Sequence, residues 1–106
     1  MTELEQDIIN IISIAGDSKA KAFEALKKVK TMDFEGAKKL IDESRVLDLE
    51  AHKIQTKLIT AELDPEQESS EISLLMVHAQ DHYMSSQLAR DLIETLIEIF
   101  KVQGGK

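Results

Sequence analysis

Two of the three histidines in this chain of 106 residues, His78 and His82, lie four positions apart, with Asp81 between them. On an α-helix this spacing separates them by about 40° in projection and one turn along the axis, so the two imidazoles can share a groove. Asp81 then lies about 60° to the other side of His78. Three kinds of chemistry are open to such a cluster: packing in the core, metal ligation and nucleophilic transfer.

Packing is the simplest alternative, because a single histidine on an apolar helix face is usually a hydrogen-bonded structural residue. Metal ligation is the second. The zinc motif H-E-x-x-H fails because Ala79 occupies the glutamate position. The Glu-x-x-His pairs of di-iron bundles fail because Leu75 and Ala79 stand where the glutamates belong. Asp81 suits a hard cation shared between subunits better than a zinc ion within one subunit. A metal-dependent helical-bundle protein that uses His78, His82 and Asp81 stays open as the alternative.

Nucleophilic transfer is the third alternative, because neutral imidazole can accept a phosphoryl group on one ring nitrogen. Phosphoryl transfer requires mainly positioning and hydrogen-bond donors, which a small helical bundle can supply. The sequence has no phosphate loop of the form G-x-x-x-x-G-K-[ST], so we do not expect it to bind ATP. A nucleophilic histidine in such a chain receives its phosphoryl group from another protein and passes it on.

The composition limits the class of protein. The 20 acidic and 13 basic side chains give a formal net charge of -7, which argues against binding to nucleic acid or to an anionic membrane surface. The absence of cysteine excludes disulfides and thiolate chemistry. No apolar run approaches the ~18 residues of a membrane span, and the amino terminus carries acids where a signal peptide carries lysine or arginine. We expect one cytoplasmic domain over residues 1–106, without membrane insertion.

Apolar residues recur at helical spacing along most of the sequence, which has one proline and four glycines. Thr2 and Glu5 have the spacing of a capping box, which predicts the start of a first helix that runs to about residue 29. Residues 16–18, Gly-Asp-Ser, interrupt the apolar pattern and predict a kink or a loosened turn within this helix.

Two further helices follow. Residues 31–33 form a short connection, and Asp33 can cap a second helix that runs from residue 34 to about residue 62. The segment 63–70 holds the proline and is expected to be a mobile loop. A third helix is expected from near residue 70 to Gly104-Gly105. Three long helices with short connections predict an all-α, antiparallel up-down-up three-helix bundle.

The third helix has more apolar residues than one buried face can hold. Its natural core stripe consists of Leu75, Ala79, His82, Ser86, Ile93, Ile97 and Phe100. Two partner helices within a monomer cannot also cover the apolar residues on its other faces, so we expect self-association into a closed cyclic oligomer with this helix near the axis. Those other residues are Leu74, Met76, Val77, Met84, Leu88 and Leu92.

The segment LLMVHAQDHYMSSQLARDLIETLIEIF, residues 74–100, resembles the signature helix of the lactose/cellobiose-class enzyme IIA of the bacterial sugar phosphotransferase system. The resemblance extends to AGDSKAKAFEALKKVKTMDFEGAKKLIDES, residues 15–44, and EAHKIQTKLI, residues 50–59, so it covers nearly the whole chain. It implies a three-helix bundle that assembles into a homotrimer.

The resemblance also implies roles for the cluster. His78 would accept a phosphoryl group from the phosphocarrier HPr and pass it to a cysteine of the cognate IIB protein, for uptake of a β-disaccharide such as cellobiose, chitobiose or lactose by the IIC membrane permease. His82 would hydrogen-bond the phosphoryl group. Asp81 of the three subunits would meet near the trimer axis around Mg²⁺ or another divalent cation, which offsets their repulsion. Gln80 belongs to the motif without an assigned role.

Some residues distinguish this sequence within the family. Ala79 and the segment LARDLIETL that starts at residue 88 resemble the cellobiose/chitobiose members more than the lactose members. Tyr83 and Gln87 depart from the family pattern, in which apolar residues are usual, and are expected to alter local packing or the partner surface. His52 matches the family, and we interpret it as a structural histidine of the second helix. Besides the phosphoryl carrier and the metal-dependent protein, a third class of function stays open: a passive helical interaction module, which takes up no phosphoryl group.

Overall fold

The computed structural model of the chain describes residues 1–66 and 73–104. These residues contain three long α-helices and no strand. The helices are α1, Glu3–Lys28, α2, Phe34–Leu63, and α3, Leu74–Gly104. They form an elongated bundle of 60 × 23 × 19 Å, in which α1 packs along both of the other helices. The predicted all-α, up-down-up three-helix bundle is confirmed.

Side-chain caps fix the starts of the first two helices. The hydroxyl of Thr2 accepts from the backbone N–H of Glu5 at 3.1 Å, and the Glu5 carboxylate accepts from the N–H of Thr2 at 3.3 Å, as in the predicted capping box. Asp33 caps α2 as predicted, because its Oδ1 accepts from the N–H of Gly36 at 2.9 Å. Met32 has a left-handed φ of 58°, which turns the chain between α1 and α2.

Residues 16–18, for which the sequence predicts a kink or loosened turn, lie in uninterrupted helix. Ser18, the last residue of this stretch, packs between the helices, where it is fully buried against Ser44 of α2. Each hydroxyl donates to the other residue's backbone carbonyl at 2.9 Å. The break in the apolar pattern therefore marks a close crossing of α1 and α2.

The third helix is described from Leu74 onwards. Within the described residues α3 begins at Leu74, where the hydroxyl of Ser73 accepts from the N–H of Met76 at 3.1 Å. The expected start near residue 70 and the second half of the expected loop at 63–70 lie outside the described residues. None of the helices in the described ranges is long and apolar enough to cross a membrane.

The buried face of α3 is rotated slightly from the predicted core stripe. The buried residues of this helix are Ala79, Tyr83, Ser86, Ile93 and Ile97. Phe100, predicted to face the core, is 41% exposed, and Leu75 and His82 are half-buried at the margin. The reason is that Tyr83 enters the core, so the buried face turns towards it and away from Phe100.

Candidate functional site

The His-Asp-His cluster lies in the first half of α3. His78 is exposed and His82 is half-buried beside it. Their ring centroids are 4.4 Å apart and their planes meet at 75°, an edge-to-face arrangement. The two imidazoles are therefore adjacent, as their spacing on a helix predicts, and the more exposed ring is that of His78.

Core packing holds this part of α3 in place. Ala79 and Tyr83 are buried in an apolar cluster with Ile11 of α1 and neighbouring residues of α1 and α2. Because these two side chains point into the bundle, the adjacent positions His78 and His82 lie on the flank of the helix. A rigid apolar anchor thus carries the exposed imidazole at the surface, where a second protein can reach it.

Asp81 lies on the other side of His78, and it is exposed. Both residues line an open groove of about 880 Å³, together with Gln80 and the apolar side chains of Leu74, Leu75, Val77 and Met84. Within residues 1–66 and 73–104, no three His, Asp or Glu side chains come together in a way that could hold a metal ion.

The outer face of α3 carries a row of exposed residues, which we name the outer seam. Its members are Leu74, Val77, Asp81, Met84, Leu88, Leu92, Leu96 and Ile99. They recur every three or four residues, the spacing of a coiled-coil interface. Of the apolar residues that the sequence places outside the core stripe, only Met76 is half-buried, where it packs against the core. The predicted second apolar surface of α3 is otherwise exposed in the monomer.

Polar side chains join α2 to α3 at four levels within the described residues, and we name this series the polar ladder. The pairs are Arg45 with Glu94, Asp48 with Ser86 and Arg90, His52 with Tyr83, and Gln55 with Gln80. The ladder was not predicted. The sequence signal that could have shown it is the set of polar residues at positions 45, 48, 52 and 55, which share one face of α2.

The second level of the ladder is a buried charge pair. The side chain of Asp48 is 3% exposed and that of Arg90 is 12% exposed, and the guanidinium donates to the carboxylate. The hydroxyl of Ser86 donates to the same carboxylate at 3.1 Å. Nε of Arg90 is buried and has no hydrogen-bond partner among the described residues. This level fixes the register of α2 against α3.

The third level gives a structural role to Tyr83 and Gln87, which depart from the family pattern. Gln87 donates to the hydroxyl of Tyr83 at 3.0 Å, and Nδ1 of His52 lies 3.1 Å from the same hydroxyl. Burial raises the pKa of Tyr83 above its usual value of 10.0, and the charge of Asp48 adds to the rise. The protonated phenol can then donate to His52, which supports the structural interpretation of that histidine.

Gln80, for which the sequence gives no role, forms the fourth level. Its Oε1 accepts from Nε2 of Gln55 in a partly buried contact. Gln80 also lines the groove that contains His78. This level therefore lies next to the candidate site.

The sequence is similar to proteins of one family. The model of the family described as "PTS system, Lactose/Cellobiose specific IIA subunit" matches residues 6–101. The N,N'-diacetylchitobiose-specific EIIA component of Escherichia coli (strain K12) is 46% identical over 97 residues, which cover 92% of this chain and 82% of the relative. The lactose-specific EIIA component of Staphylococcus epidermidis is 38% identical over 91 residues, 86% of each chain. The greater similarity to the chitobiose-specific relative agrees with the predicted subgroup.

The fold is similar to solved structures of the same kind. The cellobiose-specific enzyme IIA from Bacillus anthracis superimposes with a TM-score of 0.92 at 33% identity, covering 100% of this chain and 95% of the other. A chain of the solution structures of the IIA(chitobiose)–HPr complex from Escherichia coli gives 0.84 at 40% identity, covering 98% of this chain and 99% of that one.

Proposed function

Because the chain belongs to the lactose/cellobiose-specific IIA family of the phosphotransferase system, we propose that it carries a phosphoryl group on His78 from HPr to a IIB protein. The observation that carries this proposal is the exposed His78 ring, which lies edge-to-face with His82 at the rim of an open groove. HPr as the donor is supported by the structure of an Escherichia coli relative in complex with HPr.

The transfer consists of two displacements at phosphorus. In the first, an unprotonated ring nitrogen of His78 forms a bond to phosphorus while the bond from phosphorus to HPr breaks, and the electron pair of that bond returns to HPr. In the second, a thiolate of IIB forms the new bond and His78 leaves with its electron pair. Neither step needs a nucleotide or a metal ion, since the partners supply donor and acceptor.

His82 acts as the hydrogen-bonding helper of the phosphoryl group. Its ring lies close to His78 on the inner side, so that an N–H of His82 can approach phosphoryl oxygens bound to the neighbouring ring. Charge-assisted hydrogen bonds of this kind are worth about 1.5–3 kcal/mol. Because His82 is half-buried, its ring is already restricted, and less conformational entropy is lost when it forms such a hydrogen bond.

The substitution His82→Ala is expected to slow phosphoryl uptake by His78 about 10- to 100-fold, because one charge-assisted hydrogen bond is lost. The site of labelling should not change. The measurement is the rate of transfer from HPr-phosphate by rapid quench, with mapping of the labelled residue. An undiminished rate would remove the helper role of His82.

The outer seam supports a homotrimer in which the α3 helices pack around the axis. A row of exposed apolar residues with coiled-coil spacing is buried when parallel copies associate. Asp81 lies within this row, so the carboxylates of three subunits converge. The three carboxylates would hold Mg²⁺ or another divalent cation, whose positive charge offsets their mutual repulsion.

The substitution Asp81→Leu is expected to preserve or tighten the trimer and to remove its dependence on a divalent cation, because three converging charges are replaced by apolar side chains. Sedimentation equilibrium with and without EDTA measures this. The matched control Leu88→Asp adds a charge to the same seam and is expected to dissociate the trimer. Monomers from Asp81→Leu would show that the cation contact holds the assembly together.

The transported sugar is expected to be a β-disaccharide of the chitobiose or cellobiose type, taken up through a IIC permease. The names of the similar proteins support this class: chitobiose, cellobiose and lactose. The test is to pair the chain with IIB and IIC proteins of one system and to measure phosphorylation of each sugar.

A further inference from the structure

Gly16 lies in the middle of α1, where nothing in the described residues requires a glycine. It is exposed, its backbone is ordinary α-helix, and a Cβ added there would meet no atom within 4 Å. The close crossing of α1 and α2 involves Ser18, which is buried on another side of the helix. Because glycine within a helix is less favourable than alanine, Gly16 lowers the stability of the fold without a structural reason in the monomer.

Gly16 points away from α2, onto the face of the bundle that α1 forms with α3. Measured from the buried Ile11, Lys21 lies about 80° to one side, where it pairs with Glu43 of α2 at 3.1 Å. Gly16 lies about 140° to the other side of Ile11. Since α2 occupies the first flank of α1, the second flank belongs to the face that α1 shares with α3.

His78 points onto the same face from α3. Measured from the buried Ala79, Gln80 lies about 100° to one side, where it meets Gln55 of α2. His78 lies about 100° to the other side of Ala79, away from α2. The α1–α3 face therefore carries both the exposed imidazole and Gly16.

Gly16 and His78 are close enough for one protein to cover both. Ala22 of α1 and Ile93 of α3 share a buried cluster, so residues of the two helices at the same level are about 71 positions apart. Gly16 then lies about nine residues, or ~14 Å, beyond His78 along the bundle. A docking protein covers about 800 Å², a patch about 30 Å across. Because His78 is one turn from the first residue of α3, such a patch extends mainly towards Gly16.

Gly16 interrupts a row of apolar side chains on α1. Ile12, one turn before it, is half-buried, and Phe23, two turns after it, is 47% exposed. Helix spacing places the three residues in one row, which we name the α1 notch. The missing side chain at Gly16 leaves the helix backbone open to close approach, and an exposed aromatic residue beside such a gap is typical of a protein-binding surface.

We propose that the α1 notch is a contact surface for HPr, and that position 16 is glycine because HPr approaches the α1 backbone there while its phosphoryl group reaches His78. This inference rests on the proposed function. HPr is the occupant because the donor must dock on the face that carries His78, and a relative from Escherichia coli is solved in complex with HPr. The outer seam is centred near Leu88, about 80° around α3 from His78, so association through it leaves the notch open. Gly16 contributes to docking and takes no part in the chemistry.

The substitution Gly16→Ala should stabilise the fold and weaken docking. Alanine favours the helix and fits the open space, so the Tm should rise by about 4 °C. The added methyl group occupies the notch, so the KM for HPr-phosphate should rise about tenfold with kcat unchanged. Gly16→Leu fills the notch and should raise the KM further.

Ser13→Ala is the matched control, because it lies on the same helix at an exposed position and favours the helix without adding an atom. Its Tm should rise as well, and its KM should stay unchanged. The measurements are thermal unfolding, initial rates of transfer over a range of HPr-phosphate concentrations, and sedimentation equilibrium, all at one protein concentration.

An unchanged KM in both Gly16→Ala and Gly16→Leu would overturn the inference. A change in oligomeric state would also overturn it, since a second copy of the chain would then occupy the notch, and so would a raised KM confined to transfer to IIB. If the unsubstituted chain takes up no phosphate from HPr, the proposed function fails, whereas normal uptake with an unaltered KM in the variants removes this inference alone.

Discussion

The substitution His78→Ala is expected to reduce phosphoryl uptake from HPr-phosphate to background. His78 is the exposed imidazole of the groove, whereas His82 is half-buried beside it. His52 lies on another helix, where its Nδ1 contacts the hydroxyl of Tyr83. Removal of the nucleophile leaves no exposed imidazole in the groove to form the bond to phosphorus, so the loss should be complete, unlike the partial loss expected for the helper His82.

The assay is transfer of labelled phosphate from phosphoenolpyruvate through enzyme I and HPr, with the variant as the final acceptor. His52→Ala, which removes a histidine outside the groove, is the control and should be labelled like the unsubstituted chain. Addition of EDTA with preformed HPr-phosphate as the donor separates the metal-dependent alternative, because a phosphoryl carrier is still labelled after chelation. Undiminished label in His78→Ala would show that another residue is the acceptor.

The substitution Asp48→Ala is expected to lower the free energy of unfolding by about 3–5 kcal/mol. It removes the buried partner of Arg90 and leaves the guanidinium with the exposed carboxylate of Asp91, at 3.3 Å, as its remaining ion pair among the described residues. The side chain of Arg90 is only 12% exposed, and its Nε already lacks a partner among the described residues. Ser86, whose hydroxyl donates to Asp48, would lose its hydrogen bond as well. The measurement is urea unfolding at one fixed protein concentration, since assembly also contributes to stability.

The first level of the ladder provides the matched control. Arg45 and Glu94 form an ion pair whose side chains are each 38% exposed, so Glu94→Ala should lower the free energy of unfolding by about 1 kcal/mol or less. The double variant Asp48→Leu with Arg90→Leu should recover most of the stability, because neither charge is then left unpaired. If Asp48→Ala lowers the free energy of unfolding by less than about 1 kcal/mol, the buried pair of Asp48 and Arg90 does not fix the register of α2 against α3.

The helices could be predicted because their signals are local. Thr2 with Glu5 and Asp33 satisfy backbone N–H groups within their own first turns, so their spacing in the sequence is enough to place two helix starts. The same holds for the site: His78 and His82 are one turn apart on one helix, and their proximity follows from helix geometry alone.

The polar ladder could not be predicted in the same way, because each level depends on the rotation of α3 against α2. That rotation is set by which side chains enter the core, and Tyr83 enters it although the apolar pattern favours Phe100 instead. Residues 16–18 show the same limit: the sequence marks an interruption, while the buried contact of Ser18 with Ser44 decides that the helix continues. Gln80 acquires a partner only once Gln55 is placed opposite to it.

Mass mapping of the chain after exposure to HPr-phosphate tests the central claim most directly. Cleavage at lysine and arginine gives one peptide, residues 58–90, that contains both His78 and His82, so fragmentation of this peptide must assign the phosphate. The account predicts a single phosphate on His78. Phosphate on His82 or His52, or no phosphate on any residue, would contradict it.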